Sequence, residues 1–316
     1  MREGPHAARR GARRAVIESA GGFYAIALRG AALFGTIAVI GGWAFARIVV
    51  ARAAGPAMDA YRASLAQFSN RLAMAGAALI AALMAPRAIV QAFASATPAD
   101  PTGPLVLAVL RSPWGIALVL QAMAAALVFA GLRFAGATRL YTRLTDAGIA
   151  MLLVAPAFLG HAAADPDRAL ASIIVNTLHV AAAGGWIGAL LVLTLLARTL
   201  RTRDDGGSLL ASLIVAFHPL ALASAGLVFA TGLATAWLRM GAPEGIANST
   251  YSGLFVIKVV LVFATGAVGA GHAKQAKRRV ATVDRTAIAR TLLGESLLAV
   301  LVLLVTAVLT GTASIG

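Results

Sequence analysis

The chain is 316 residues long, 60% hydrophobic and only 12% charged, about half the charged share of a soluble domain, so it reads as an integral membrane protein with no separate soluble domain. A formal net charge of +15 would suggest nucleic acid in a soluble protein, but the basic residues lie between apolar runs as topology signals, and no nucleic-acid partner is expected. The absence of cysteine excludes thiolate chemistry, iron–sulfur clusters and disulfides, leaving imidazole or thioether to hold any soft metal.

In chain order, residues 1–23 form a basic tail carrying Arg2, Arg9, Arg10, Arg13 and Arg14. It starts like a signal sequence, but no small-residue cleavage site closes a short apolar region and Arg29 interrupts it, so a retained first span is expected. Spanning roughly 30 Å of hydrocarbon takes about 20 helical residues. Such runs occur at 24–46, 70–94, 114–135, 145–164, 169–197, 209–238, 252–272 and 288–311. Turn and charge signals separate them, such as Ala54-Gly55-Pro56, Asp165-Pro166-Asp167 and Gly241-Ala242-Pro243. Barrel-type alternation is absent and backbone groups must pair internally in lipid, so the fold class is all-α: a polytopic membrane helix bundle of about eight transmembrane helices, a single bundle over 24–311.

Basic residues orient it. The odd loops hold Arg47, Arg52, Arg62 and Arg71, then Arg133, Arg139 and Arg143, then Arg198, Arg201 and Arg203, then a run from Lys274 to Arg290, whereas the even loops hold only Arg111, Arg168 and Arg239. The positive-inside rule makes the odd loops cytoplasmic and both termini periplasmic. The arginines of the N-terminal tail vote the other way and are outnumbered.

Four histidines, His161, His179, His218 and His272, fall one each on the last four runs before the final helix. Ionisable, metal-ligating groups are costly in hydrocarbon, and their default reading there is functional. Counting from the helix ends puts His161 at the outer face, His179 about 15 Å deep, His218 near the middle as well, and His272 at the inner face. This is the sampling a conduction path would need. Each could instead be a packing or interfacial histidine; His218 is followed by Pro219, and His272 lies beside Lys274 and Lys277.

Supporting residues are read with the same two-sidedness. Glu295 is taken as the one acid within an apolar span, either a proton or cation relay or a partner for a base, with Lys258 the nearest candidate. Met151, ten residues before His161, is a thioether ligand or core packing. Trp186, seven residues after His179, packs over a metal or cation or fills the core. Arg29, Arg87 and Lys258 lie near helix ends and are expected to snorkel. No phosphate loop, His-Glu-x-x-His pattern, activated serine or intramembrane acid pair occurs, so no enzyme activity is expected.

Gly160-His161-Ala162 and the run from Leu178-His179 through Gly184-Gly185-Trp186-Ile187-Gly188 to Leu190 resemble the copper resistance protein D (CopD) family. The likeness continues through Thr231-Gly232, Tyr251-Ser252-Gly253-Leu254 with Lys258, and Glu295 to Thr310, covering about residues 158–312. Ala216-Phe217-His218 stands where the family usually shows Arg-Phe-Ser, and Gly271-His272 where Asn-Arg is usual, so the two further histidines fall where the pattern breaks. The resemblance implies an inner (plasma) membrane copper transport protein carrying copper between periplasm and cytoplasm. Its partners would be the lipid bilayer and copper ion, with His161 and His179 as metal ligands; His218 and His272 are expected as further ligands from their placement on the spans alone, and a periplasmic copper chaperone is a further expected partner. Imidazole and thioether permit this chemistry. The alternative is a b-type haem electron-transfer protein with His179 and His218 as axial ligands, which requires the two to share a depth.

Overall fold

The computed structural model describes residues 5–95, 102–160, 167–240, 250–278 and 285–310, with side chains described over 22–55, 58–95, 103–160, 167–238, 252–269 and 286–310. All regular elements among the described residues are helices. Eight are long and apolar enough to cross a membrane: α1 Gly22–Arg52, α2 Met58–Ser95, α3 Pro113–Arg133, α4 Arg139–Leu159, α5 Ala169–Leu200, α6 Gly206–Leu238, α7 Ser252–Gly269 and α8 Thr286–Leu309. A short helix, Thr102–Arg111, precedes α3. The backbone of α1 is already helical from Pro5, so the basic head and the first span are one continuous helix.

Apolar side chains fill the core and also cover the outer face, unlike in a soluble protein. Large apolar side chains such as Leu222, Val260, Phe263 and Leu297 point outward, where hydrocarbon satisfies them. At the centre stand α5 and α1, 83% and 67% buried within the protein over their apolar windows. Around them α2, α6 and α8 pack against the pair, α3 pairs with α4, and α7 pairs with α8.

Close approach of α1 and α5 depends on two glycines. A Cβ at Gly41 would lie 2.1 Å from the carbonyl carbon of Gly188, so the helices touch backbone to backbone, as small residues permit in membranes. Both helices carry a π-helical turn here, Phe45–Val49 in α1 and Gly184–Gly188 in α5. Such a turn rotates the following face relative to a regular helix and recurs at functional sites. Polar contacts add to the packing: Thr194 Oγ1 on α5 lies 2.7 Å from Ser296 Oγ on α8, buried.

Several helices overrun the bilayer. At about 1.5 Å per residue, the 31, 38, 32 and 33 residues of α1, α2, α5 and α6 exceed roughly 30 Å of hydrocarbon. The largest departure from the sequence reading is α2, which starts at Met58 rather than at 70. Its first turns are held by Arg62, whose guanidinium donates to the carbonyls of Val50 and Ala53 at 2.5 and 3.1 Å. It thus satisfies acceptors left open at the end of α1. At the start of α3, Ser112 Oγ accepts from the Gly115 amide at 3.2 Å and caps the helix. Glu295 is not the one acid within a span: Asp146 lies in α4, near its basic end, and takes Arg47 at 3.1 Å and the Trp43 indole at 3.3 Å from α1.

Candidate functional site: two cavities divided by Trp186

Tracing side chains inward from the end that bears the even loops, all eight spans converge on one cavity of about 210 Å³. Its polar lining includes Arg29 of α1, Arg87 of α2, Gln121 of α3, Asn176 and His179 of α5, and Lys258 of α7. Gly160, at the end of α4, belongs to the same lining. His161, the next residue, lies outside the described residues.

His179 is fixed by α6. Its Nδ1 lies 2.9 Å from Thr231 Oγ1, which is itself 2.5 Å from the Leu227 carbonyl oxygen one turn earlier. A hydroxyl has one proton and a carbonyl can only accept, so Thr231 donates to Leu227 and accepts from Nδ1–H. This network assigns the Nδ1–H tautomer and leaves the Nε2 lone pair for a metal or a proton. Gly232 lies alongside, with space for a Cβ only 3.9 Å from the ring. Thr231 thus acquires a physical role that motif reading alone did not supply.

Seven residues on, Trp186 closes the cavity floor. It sits in the π-helical turn, is 3% exposed, and its ring packs near Gly266 of α7. On its other side is a second cavity of about 90 Å³, lined by His218 of α6 and Glu295 of α8 as well as by Trp186 itself. Glu295 is 3% exposed and presses against Gly269, where a Cβ would lie 2.7 Å from Oε1. His218 and Glu295 are therefore brought together. His272 lies further along the helix Thr250–Arg278, and its side chain is outside the described residues.

The structure separates other pairs. Because His179 meets Thr231, thirteen residues after His218 on the antiparallel α6, His218 sits about 20 Å further along the bundle axis. The two histidines do not share a depth, and they line different cavities. Counting each from its own helix end placed both near the middle; the overlong α5 and α6 make those counts miss one another. Lys258 lines the His179 cavity, whereas Glu295 lies beside Gly269, about 16 Å further along α7. Met151 packs with the apolar cluster around Ile149 and Leu152 and lines neither cavity. Arg29 and Arg87 face the cavity instead of snorkelling outward, and Arg87 donates to Gln121 Oε1 at 2.7 Å while lying over Trp114. Among the described residues no three His, Asp or Glu side chains converge, so no closed metal cage is formed there.

Residues 211–309 match the family model of copper resistance protein D, a stretch holding Thr231, His218, His272 and Glu295. The chain is also similar to copper transport protein CutJ of Bacillus subtilis (strain 168), 30% identical over 170 residues, which are 52% of this chain and 29% of that protein. The match thus spans under a third of the relative's length. No solved structure matches the chain.

Proposed function

We propose, taking the match of residues 211–309 to copper resistance protein D as the premise, that this multi-pass membrane protein moves copper across the inner membrane through two histidine sites in series. His179 takes the ion in the outer cavity through Nε2; Trp186 divides the route; His218 with Glu295 receives it beyond. His161 stands at the mouth and His272 toward the exit. The distribution of basic loops supports an outer cavity facing the periplasm, with both termini on that side.

The observation that carries this reading is the pairing of His179 with Thr231, which leaves one ligating nitrogen at a lined cavity. Few-ligand sites suit conduction, since an ion must leave as readily as it enters. Imidazole and carboxylate are acceptable copper ligands without thiolate. A haem held by His179 and His218 has less support, because one ring cannot bridge about 20 Å of bundle axis.

Purified protein tested for bound copper and scanned for absorption separates these readings. Copper that falls in His179→Ala, in a preparation without a Soret band, supports transport; a strong Soret band in copper-poor protein overturns it.

A further inference from the structure

The outer cavity gathers positive charge from three separate helices. Arg29, Arg87 and Lys258 line it, and among its described lining residues there is no aspartate or glutamate. The partner that Arg87 has there, Gln121, is neutral. Arg29 Nη1 and Asn176 Nδ2 are buried donors that make no hydrogen bond. Two donors thus face the space without an acceptor, and on Arg29 the unmatched donor carries positive charge, which is destabilising in a desolvated site.

We infer that this cavity is an anion-binding site, holding a carboxylate or phosphate group between Arg29, Arg87 and Lys258 with Asn176 as a neutral donor. Guanidinium groups match such oxyanions in both charge and fork geometry. At about 210 Å³ the cavity has room for a small oxyanion or for the acidic end of a larger molecule. The inference deepens the copper reading without depending on it for its own test. A bare cuprous or cupric ion approaching His179 meets three positive side chains, so copper reaches Nε2 together with an anion that offsets them. That anion is either a soluble oxyanion accompanying the metal or the phosphate of an anionic lipid inserted from the membrane.

The test uses the full chain, without copper, in nanodiscs of phosphatidylcholine, titrated with inorganic phosphate and with citrate. Binding is followed by calorimetry and by the fluorescence of Trp114 and Trp186, which line the cavity. Saturable binding is expected, weakened about ten-fold or more in Arg29→Gln and Lys258→Gln, retained in Arg29→Lys, and unchanged in Arg111→Gln, an exposed arginine outside the cavity. Repeating the titration in phosphatidylglycerol nanodiscs distinguishes the sources. Loss of phosphate and citrate binding by the parent there, with Arg29→Gln equally weak in both lipids, identifies the lipid headgroup as occupant; unchanged binding by the parent identifies a soluble anion. Absence of saturable binding in neutral lipid, or equal binding by the Arg29→Gln and Arg111→Gln proteins, overturns the inference. Either result leaves His179-dependent copper binding standing or falling on its own measurement.

Discussion

Thr231 accepts a hydrogen bond from His179 Nδ1 at 2.9 Å while donating its own proton to the backbone of its helix. One hydroxyl therefore sets which imidazole nitrogen carries the proton and which keeps its lone pair. Replacing it with the near-isosteric Thr231→Val removes the acceptor, freeing the ring to rotate and to change tautomer. Outer-shell changes of this kind typically lower metal affinity roughly 10- to 100-fold. Copper affinity measured anaerobically should fall within that range in Thr231→Val and recover in Thr231→Ser; equal affinity in all three proteins would show that the hydroxyl does not orient the ligand.

Gly269 leaves space for the carboxyl group of Glu295. Adding the single methyl of Gly269→Ala places a carbon 2.7 Å from Oε1, so Glu295 must move within a packed interface. The atoms it meets are the far end of a flexible side chain that can swing aside, so the cost stays at the low end of overpacking, about 1 kcal/mol. A lower midpoint of thermal unfolding in detergent is expected, together with a loss of copper transport that Gly294→Ala, with open space around it, does not cause.

Gly41 and Gly188 hold the two central helices in backbone contact. With only 2.1 Å available to a Cβ and backbone on the far side, Gly41→Ala must part α1 from α5 and open the walls of the outer cavity. We expect a destabilisation at or beyond about 3 kcal/mol, read as reduced folded yield and a lower unfolding midpoint. A protein as stable as the parent would contradict the close packing.

Arg62 ties α2 to the end of α1 through the carbonyls of Val50, Ala51 and Ala53, and is itself held by Asp59 within α2. Its side chain is 39% exposed, so solvent screening reduces what its loss should cost to about 1 kcal/mol. Arg62→Gln should lower the unfolding midpoint slightly and leave copper binding unchanged, since the contact lies at the opposite end from His179. A collapse of copper binding in this variant would mean that the two ends are coupled.

The eight spans were legible in the sequence because length and apolarity suffice to mark a membrane helix. Their ends were less so: hydropathy cannot see that Arg62 extends α2 back to Met58 by capping α1. Trp186 was readable as either a core residue or a ring packed over a metal or cation, and the π-helical turn that aims it has no sequence signal beyond the glycines around it. Arg29, Arg87 and Lys258, each taken alone, fit snorkelling. Their convergence is a property of packing between α1, α2 and α7. One signal was available: all three lie within the first or last third of their spans at the end bearing the even loops. The shared depth expected of His179 and His218 failed for a geometric reason, the length of α5 and α6 beyond the bilayer.

Initial rates of copper uptake into proteoliposomes, for the parent, His179→Ala, His218→Ala and the double variant, test the serial route most directly. Two sites on one path predict that each single variant is slow and that the double is little slower than the slower single. Uptake at the parental rate in both single variants would contradict the route, as would single variants that each lose only part of the uptake and whose lost rates sum in the double, as for parallel pathways.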